Sequence, residues 1–364
     1  MATGLLSVGA YLWAQNAPVS VGNALFTREC ASCHVGGGND RAPALDALKS
    51  LSAEAVLTAI TTGRMAAQAQ RLSSADRVAV AEYVTGKTIS AAAGASGGQC
   101  AGNPSFADSF NKPAWNGWGG ALGSARFAKD GGLAATDVPK LKLAWAFGFP
   151  KALSARTQPT IFGDWLFTAS DTGDVFALDS KTGCTRWTFT AKAGVRGALS
   201  VAPVGDGKYG VFFGDGQANA YGLDAQTGKQ LWTLKVESHP NAVITGAPTV
   251  YDGRLYVPTS GVGEESRGND PSYACCSFRG SVSAIDVRNG ELRWKTYAIQ
   301  QEPKPRGKSS KGVDLLGPSG AGIWMSPGID AARGVLYVAT GNGYSGPEQK
   351  QMNAIIAMDL KTGE

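Results

Sequence analysis

One phrase recurs four times in register along the chain: Ala177-Leu178-Asp179-Ser180-Lys181-Thr182-Gly183, Gly222-Leu223-Asp224-Ala225-Gln226-Thr227-Gly228, Ala284-Ile285-Asp286-Val287-Arg288-Asn289-Gly290 and Ala357-Met358-Asp359-Leu360-Lys361-Thr362-Gly363. In the first three copies a tryptophan (Trp187, Trp232, Trp294) stands eight residues after the aspartate. The phrase predicts a hairpin. The aspartate bonds its own turn, the glycine takes the positive-φ position, and the tryptophan begins the return strand. A second hairpin lies upstream of each. Residues 248–257, with Asp252-Gly253 at the turn, show it most clearly. Two hairpins make a four-stranded blade, and blades repeating at about 45 residues describe a β-propeller. A β-sandwich with accidental similarity would not carry four copies in register. Because each tryptophan holds the same repeat position, the three are expected to pack between blades.

Composition narrows the chemistry. The 49 glycines in 364 residues suit a protein of many tight turns. The net charge of +5 comes from mixed signs without a long basic run, so nucleic-acid binding is not indicated. With only two histidines, His34 and His239, a multi-histidine metal centre is excluded. No apolar run approaches the roughly 18 residues of a membrane helix. Residues 5–14 have the length of a signal-peptide apolar region, with a candidate processing site at 14–17, but lack a basic leader. They read as a signal remnant or as a disordered tail.

Before the repeats stands Cys30-Ala31-Ser32-Cys33-His34, the C-x-x-C-H haem attachment pattern. Two thiols one helical turn apart reach the two vinyl groups of a single haem, and the adjoining imidazole binds iron. A redox dithiol would not need the histidine. The sixth iron ligand is usually Met or His. Met65 lies in a Gly-containing stretch between two predicted helices, 53–60 after the cap Ser52 and 74–84. The alternative for Met65 is a core gap-filler. The expected organisation is a signal-like or disordered segment at 1–20, a small all-α cytochrome c domain at 21–87, a linker at 88–113 and an all-β propeller at 114–364. The Ala/Gly/Ser run at 91–98 marks the linker by composition. The chain ends before the place of a fourth repeat tryptophan. About four of eight blades are therefore expected here, as a C-terminally truncated part of a larger ring.

The order of these features resembles the pyrroloquinoline quinone (PQQ) alcohol dehydrogenases, and most strongly the cytochrome-fused, polyvinyl alcohol-oxidising branch. The resemblance rests on Trp115-Asn116-Gly117-Trp118-Gly119, residues 140–150, Ile244-Thr245-Gly246-Ala247-Pro248, Cys275-Cys276-Ser277-Phe278-Arg279-Gly280 and residues 317–324, and runs from about residue 22 to the end. It implies a quinohaemoprotein with haem c, PQQ and calcium, in the periplasm. The substrate would be an alcohol or a polymer bearing secondary alcohols, and the electrons would pass to a downstream cytochrome or respiratory acceptor.

Site residues follow from the same resemblance. Adjacent Cα atoms lie about 3.8 Å apart across a trans peptide, so a bridge between Cys275 and Cys276 needs a distorted backbone; two reduced or separately paired thiols are the alternative. In the family such a ring lies against the quinone plane. Trp324, outside the repeat register, matches the indole on the opposite face. Arg196 matches a cation near the cofactor's carboxylates, while Thr245, Ser260 and Gly261 match hydroxyl and backbone donors. Glu264 or Glu265, with Asn342, matches the calcium ligands, the choice being blurred by Gly263. Cys100 and Cys184 remain as a candidate bridge in an oxidising compartment. Excess length supports a site in the third repeat: from proline to turn aspartate it uses 38 residues (Pro248 to Asp286), against 20 (Pro159 to Asp179) and 21 (Pro203 to Asp224) in the first two. The basic insertion Lys304 to Lys311 reads as a solvated loop, or as a docking surface for the cytochrome or an anionic partner.

In the family an aspartate base takes the alcohol proton, hydride moves to the quinone, calcium polarises the receiving carbonyl, and electrons leave through haem. That aspartate lies in a Phe-Asp-Phe-Gly-like segment, which does not occur before Glu364. No catalytic residue is therefore assigned here, and these 364 residues alone are expected to bind haem but turn over alcohol poorly. Two other readings stay open: a PQQ dehydrogenase for small alcohols, and a non-enzymatic haem electron carrier joined to a binding propeller. The last predicts no quinone spectrum and no calcium dependence.

Overall fold

The computed structural model describes residues 20–35, 42–61, 65–66, 68–89, 98–128, 131–150, 152 and 154–364. The signal-like stretch 5–14, the processing site 14–17, linker residues 91–97 and the neighbours 62–64 of Met65 lie outside the described residues. The chain divides into two compact units, Met1–Gln68 with Asp76–Ile89, and Ala69–Ala75 with Ser90–Glu364. None of the described helices is long and apolar enough to cross a membrane.

The first unit is helical. Helix α1 (Val21–Glu29) starts where the Ser20 hydroxyl accepts from the Asn23 amide at 3.2 Å. Helices α2 (Ala31–His34), α3 (Leu45–Lys49), α4 (Ala53–Thr61) and α5 (Ser74–Thr85) follow. The cap at Ser52 forms, its hydroxyl accepting from the Ala55 amide at 3.1 Å. Leu25, Phe26, Val56, Leu57, Ile60, Val80, Ala81 and Val84 are buried. At Gly22 a methyl group would overlap the Ala79 carbonyl and the Tyr83 side chain. Glycine there lets α1 approach the α5 backbone.

The second unit is a series of antiparallel meanders. Strands β2 (Thr160–Phe162), β3 (Trp165–Ala169), β4 (Asp174–Asp179) and β5 (Thr185–Thr190) form one sheet, which β1 (Ala114–Trp115) extends at its β2 edge. The next contains β6 (Ser200–Gly205), β7 (Lys208–Gly214), β8 (Asn219–Asp224) and β9 (Gln230–Lys235). The third contains β10 (Ala242–Val243), β11 (Thr249–Tyr251), β12 (Arg254–Gly261), β13 (Ser281–Asp286) and β14 (Leu292–Tyr297), with β10 and β11 both pairing β12. A three-stranded sheet of Gly328–Asp330, Val335–Ala339 and Ile355–Asp359 completes the series. Alternate residues face neighbouring sheets, so three hydrophobic clusters lie along the series. The architecture is a cytochrome-type helical unit followed by a β-rich unit of propeller type.

The repeated phrase has a direct physical basis. Asp179 Oδ1 accepts from the Lys181 and Thr182 amides (3.0 and 2.8 Å), and Asp359 Oδ1 does the same with Lys361 and Thr362 (2.7 and 2.8 Å). The turn glycines 183, 228, 290 and 363 have φ between 71° and 77°. Against each lies an indole from the preceding sequence: Trp145 on Gly183, Trp187 on Gly228, Trp232 on Gly290 and Trp294 on Gly363. The indole Nε1–H groups donate to the carbonyls of Ser180, Ala225, Val287 and Leu360, at 3.1, 2.9, 2.8 and 3.3 Å. Each glycine therefore satisfies two demands, a left-handed backbone and a bare face for a ring. Trp145 is a member of this ladder that the repeat phrase does not announce.

Cys100 and Cys184 are bridged, with Cα atoms 5.1 Å apart. The bridge pins the end of the linker, whose Cys100 amide also donates to the Thr185 carbonyl of β5 at 3.0 Å. The basic insertion forms a small exposed hairpin of Lys304–Lys308 and Asp314–Gly317, with Lys308 paired to Asp314 at 2.6 Å.

Candidate functional sites

In the helical unit, Cys30 is half-buried, Cys33 is exposed, and neither forms a disulfide. Burial, followed by the charge of Glu29 and the neighbouring Cys33 thiol, pushes the Cys30 pKa up. His34 is buried on the last turn of α2, and its Nδ1 lies 2.7 Å from the Pro43 carbonyl oxygen. A carbonyl can only accept, so Nδ1 carries the proton and Nε2 carries the lone pair. This tautomer is the one a metal-binding imidazole needs. Met65 is half-buried beyond α4, its amide donating to the Ala59 carbonyl at 3.0 Å.

In the β-rich unit, loops from several sheets enclose a cavity of about 630 Å³. Its lining includes Arg196, Thr245 and Trp324, three residues expected at a quinone site, together with Trp118, Arg126 and Arg156. Arg196 follows β5, in a loop whose Gly197 sits against the Ala247 backbone. Its pKa is lowered by partial burial and then by the charge on Arg156. Thr245 lies between β10 and β11. Its Oγ1 is buried and has no hydrogen-bond partner among the described residues, a defect that a bound acceptor would repair. Trp324 is 64% exposed although the Ile323 amide beside it donates to the Thr259 carbonyl at 3.1 Å. A large exposed indole on an anchored backbone is a ready platform for a flat ring.

The remaining expected residues lie outside this lining. Ser260 is buried near the end of β12, close to Gly322, and Gly261 packs its bare face on Phe278. Cys275 and Cys276 form a disulfide across a cis peptide and are 4% and 0% exposed. They are held by Leu316, whose amide donates to the Cys275 carbonyl at 2.6 Å and whose carbonyl accepts from the Cys276 amide at 3.2 Å. The Cys276 sulfur also approaches the Glu264 carbonyl at 3.8 Å. The vicinal pair packs within the third-sheet insertion and is not among the residues that line the cavity.

Glu264 and Glu265 separate clearly. Glu264 is 1% exposed, and its two carboxylate oxygens accept from the Ser277 and Phe278 amides, each at 2.8 Å. His239 stands beside it. The Asn241 amide donates to Nδ1 at 3.2 Å, so Nε2 is protonated and faces Ser277 Oγ at 3.1 Å and Glu264 Oε1 at 3.6 Å. Burial opposes ionisation of Glu264, but these donors outweigh it and hold its pKa below the usual glutamate range. Glu265 instead meets Asn342, whose Nδ2 donates to Glu265 Oε1 at 2.9 Å. Burial, with the charges of Glu265 and Glu264, pushes the Tyr344 phenol up to about 12. Among the described residues no group of three or more His, Cys, Asp or Glu side chains could hold a metal by itself.

A propeller with a cationic, indole-lined cavity, preceded by a helical unit with a haem-attachment motif, defines a class: quinoprotein dehydrogenases fused to a cytochrome. Residues 115–364 match the PQQ family described as the glucose/ethanol/alcohol dehydrogenase β-propeller domain, and residues 17–84 match cytochrome c oxidase, cbb3-type, subunit III. The chain belongs to the PQQ dehydrogenase propeller family and carries a cytochrome domain at its N-terminus.

Among its relatives is polyvinylalcohol dehydrogenase from a Pseudomonas species, 37% identical over 94% of this chain and 56% of that protein. The enzyme of the same name from a Sphingopyxis species is 36% identical over 94% of this chain and 54% of that protein. The chain therefore spans about half the length of these relatives. The crystal structure of quinohemoprotein alcohol dehydrogenase from Comamonas testosteroni shares the fold, with a TM-score of 0.54 and 22% identity over 71% of this chain and 41% of that one.

Proposed function

We propose that the chain is the haem- and quinone-bearing portion of a periplasmic quinohaemoprotein alcohol dehydrogenase acting on secondary alcohols such as those of polyvinyl alcohol. The observation that carries the reading is the convergence of Arg196, Thr245 and Trp324 on one cavity from separate loops. The donor set suits PQQ: guanidinium for a carboxylate, an orphaned hydroxyl for a carbonyl or carboxylate oxygen, and an open indole for the ring plane. Bound there, PQQ would supply the two-electron oxidation of the alcohol, with calcium as the Lewis acid.

The chain's own residues would act as follows. Trp324 fixes the ring plane, while Arg196 and Thr245 fix its rotation within that plane. Glu265 and Asn342 offer a carboxylate and an amide to calcium. Glu264 serves the backbone, because both its oxygens are occupied. Ser260 and Gly261 shape the neighbouring wall, and the Cys275–Cys276 bridge braces the insertion carrying Glu264. In the cytochrome unit, Cys30 and Cys33 would hold a haem through thioethers, and His34 Nε2 and Met65 would be its iron ligands. A bound haem would supply the path for electrons to a downstream cytochrome or respiratory acceptor. No residue here matches the family's catalytic aspartate, so slow alcohol turnover by these residues alone is part of the proposal.

The test is to produce the chain in a host with cytochrome c maturation, supply PQQ and calcium, and measure bound cofactors. A haem-shifted mass and a quinone retained through gel filtration support the reading. A haem adduct without retained quinone would leave only an electron carrier on a binding propeller.

A further inference from the structure

We infer that Arg126 and Arg156 join Arg196 as a three-guanidinium anion site in the Trp324 cavity, and that the two added arginines bind carboxylates of the quinone. This rests on the quinone reading above and extends it to residues that neither the repeat pattern nor the family resemblance singles out. All three guanidiniums are solvent-accessible and line the same cavity. No acidic side chain among the described residues lies within ion-pair distance of any of them. Several other arginines of this unit are satisfied internally. Arg186 pairs with Asp179 and Arg293 with Asp286, while Arg254 donates to the Leu360 carbonyl at 2.8 Å. Like charges gathered on one cavity without a counter-ion repel, and the charge of Arg156, after burial, disfavours the Arg196 guanidinium. A ligand bearing several carboxylates relieves that repulsion.

The Arg126 loop is built to hold its side chain in place. The Arg126 amide donates to the Gly119 carbonyl at 3.1 Å, closing the loop. Ser124 and Arg126 adopt positive φ of 51° and 53°, unusual for non-glycine residues. The guanidinium then lies over the Trp118 ring at 4.5 Å, a cation–π contact that fixes its plane and leaves its N–H edge available. Arg156 immediately precedes Thr157, whose hydroxyl donates to the Val195 carbonyl at 3.2 Å. That bond ties the Arg156 segment to the loop carrying Arg196.

The experiment is a titration of the full 364-residue chain, with calcium present, by PQQ and by its trimethyl ester. Tryptophan fluorescence and equilibrium dialysis are read at two salt concentrations. Loss of one charged hydrogen-bond partner should weaken PQQ binding about tenfold or more. Arg126→Gln and Arg156→Gln are each expected to do so, and to flatten the salt dependence. Arg156→Lys should recover part of the affinity. Arg333→Gln, at an exposed ion pair outside the cavity, should change nothing. The ester should bind wild type and variants alike. Unchanged PQQ affinity and salt dependence in both glutamine variants, with wild type binding normally, would overturn the anion site alone. Absence of PQQ binding to wild type would overturn the quinone reading and this inference with it.

Discussion

The Nδ1–H of His34 donates to the Pro43 carbonyl at 2.7 Å. This bond orients the imidazole and puts the lone pair on Nε2 before any iron arrives, the arrangement that raises ligand basicity. His34→Ala should therefore abolish a normal c-type spectrum even though both thiols remain. Met65→Ala should keep covalent haem but shift it towards high spin and lower its potential. Absorbance spectroscopy and potentiometry check both. An unchanged spectrum in Met65→Ala would remove Met65 as the axial ligand.

Glu264 predicts a pH-dependent stability. Its folded pKa is depressed, so its contribution is fully present above the unfolded glutamate pKa and is lost as pH falls through the folded value. Glu264→Gln should destabilise the chain by about 1–3 kcal/mol at neutral pH, because the Ser277 and Phe278 amides and His239 lose their charged acceptor. The gap between wild type and variant in urea unfolding should narrow as pH drops below the ordinary carboxylate range. A gap independent of pH would show that shape rather than charge is at stake.

The two adjacent glutamates carry different predictions for calcium. Glu265 meets Asn342, whereas Glu264 is engaged with backbone. Calcium-dependent PQQ retention should be lost in Glu265→Gln and in Asn342→Ala, and retained in Glu264→Gln. Quinone retained after gel filtration, with and without chelator, is the measurement. Loss in Glu264→Gln alone would reverse the assignment.

The glycine–indole ladder can be dissected by two alanine substitutions. Gly228 and Gly253 have similar φ, 71° and 69°, but only Gly228 faces an indole, that of Trp187. Gly253→Ala should cost about 1 kcal/mol for the left-handed backbone. Gly228→Ala should cost a further 1–3 kcal/mol or so, because the tryptophan must move. Equal losses in denaturant unfolding would mean that the ring yields without penalty.

Much of this was legible in the sequence because it is written locally. The turn aspartate, the positive-φ glycine and the return-strand tryptophan sit within nine residues of one another, so each repeat could be read alone. The haem motif is equally local. Trp145 is not marked by the repeat, because it docks on the Gly183 turn without a repeat phrase of its own before it. Arg126 and Arg156 become site residues only when loops distant in sequence close on one cavity. The division of labour between Glu264 and Glu265 depends on which way two neighbouring side chains turn. The vicinal cysteines mark an insertion, but their burial against Leu316 is a fact of packing that motif spacing does not carry.

The most direct test of the account is quinone binding read through Trp324. Titration with PQQ and calcium should quench tryptophan fluorescence saturably, at one quinone per chain, and Trp324→Ala should abolish most of that quenching and weaken binding at least tenfold, the loss expected for a stacked aromatic ring. Undiminished affinity and quenching in Trp324→Ala, or no saturable binding to the unaltered chain, would contradict it.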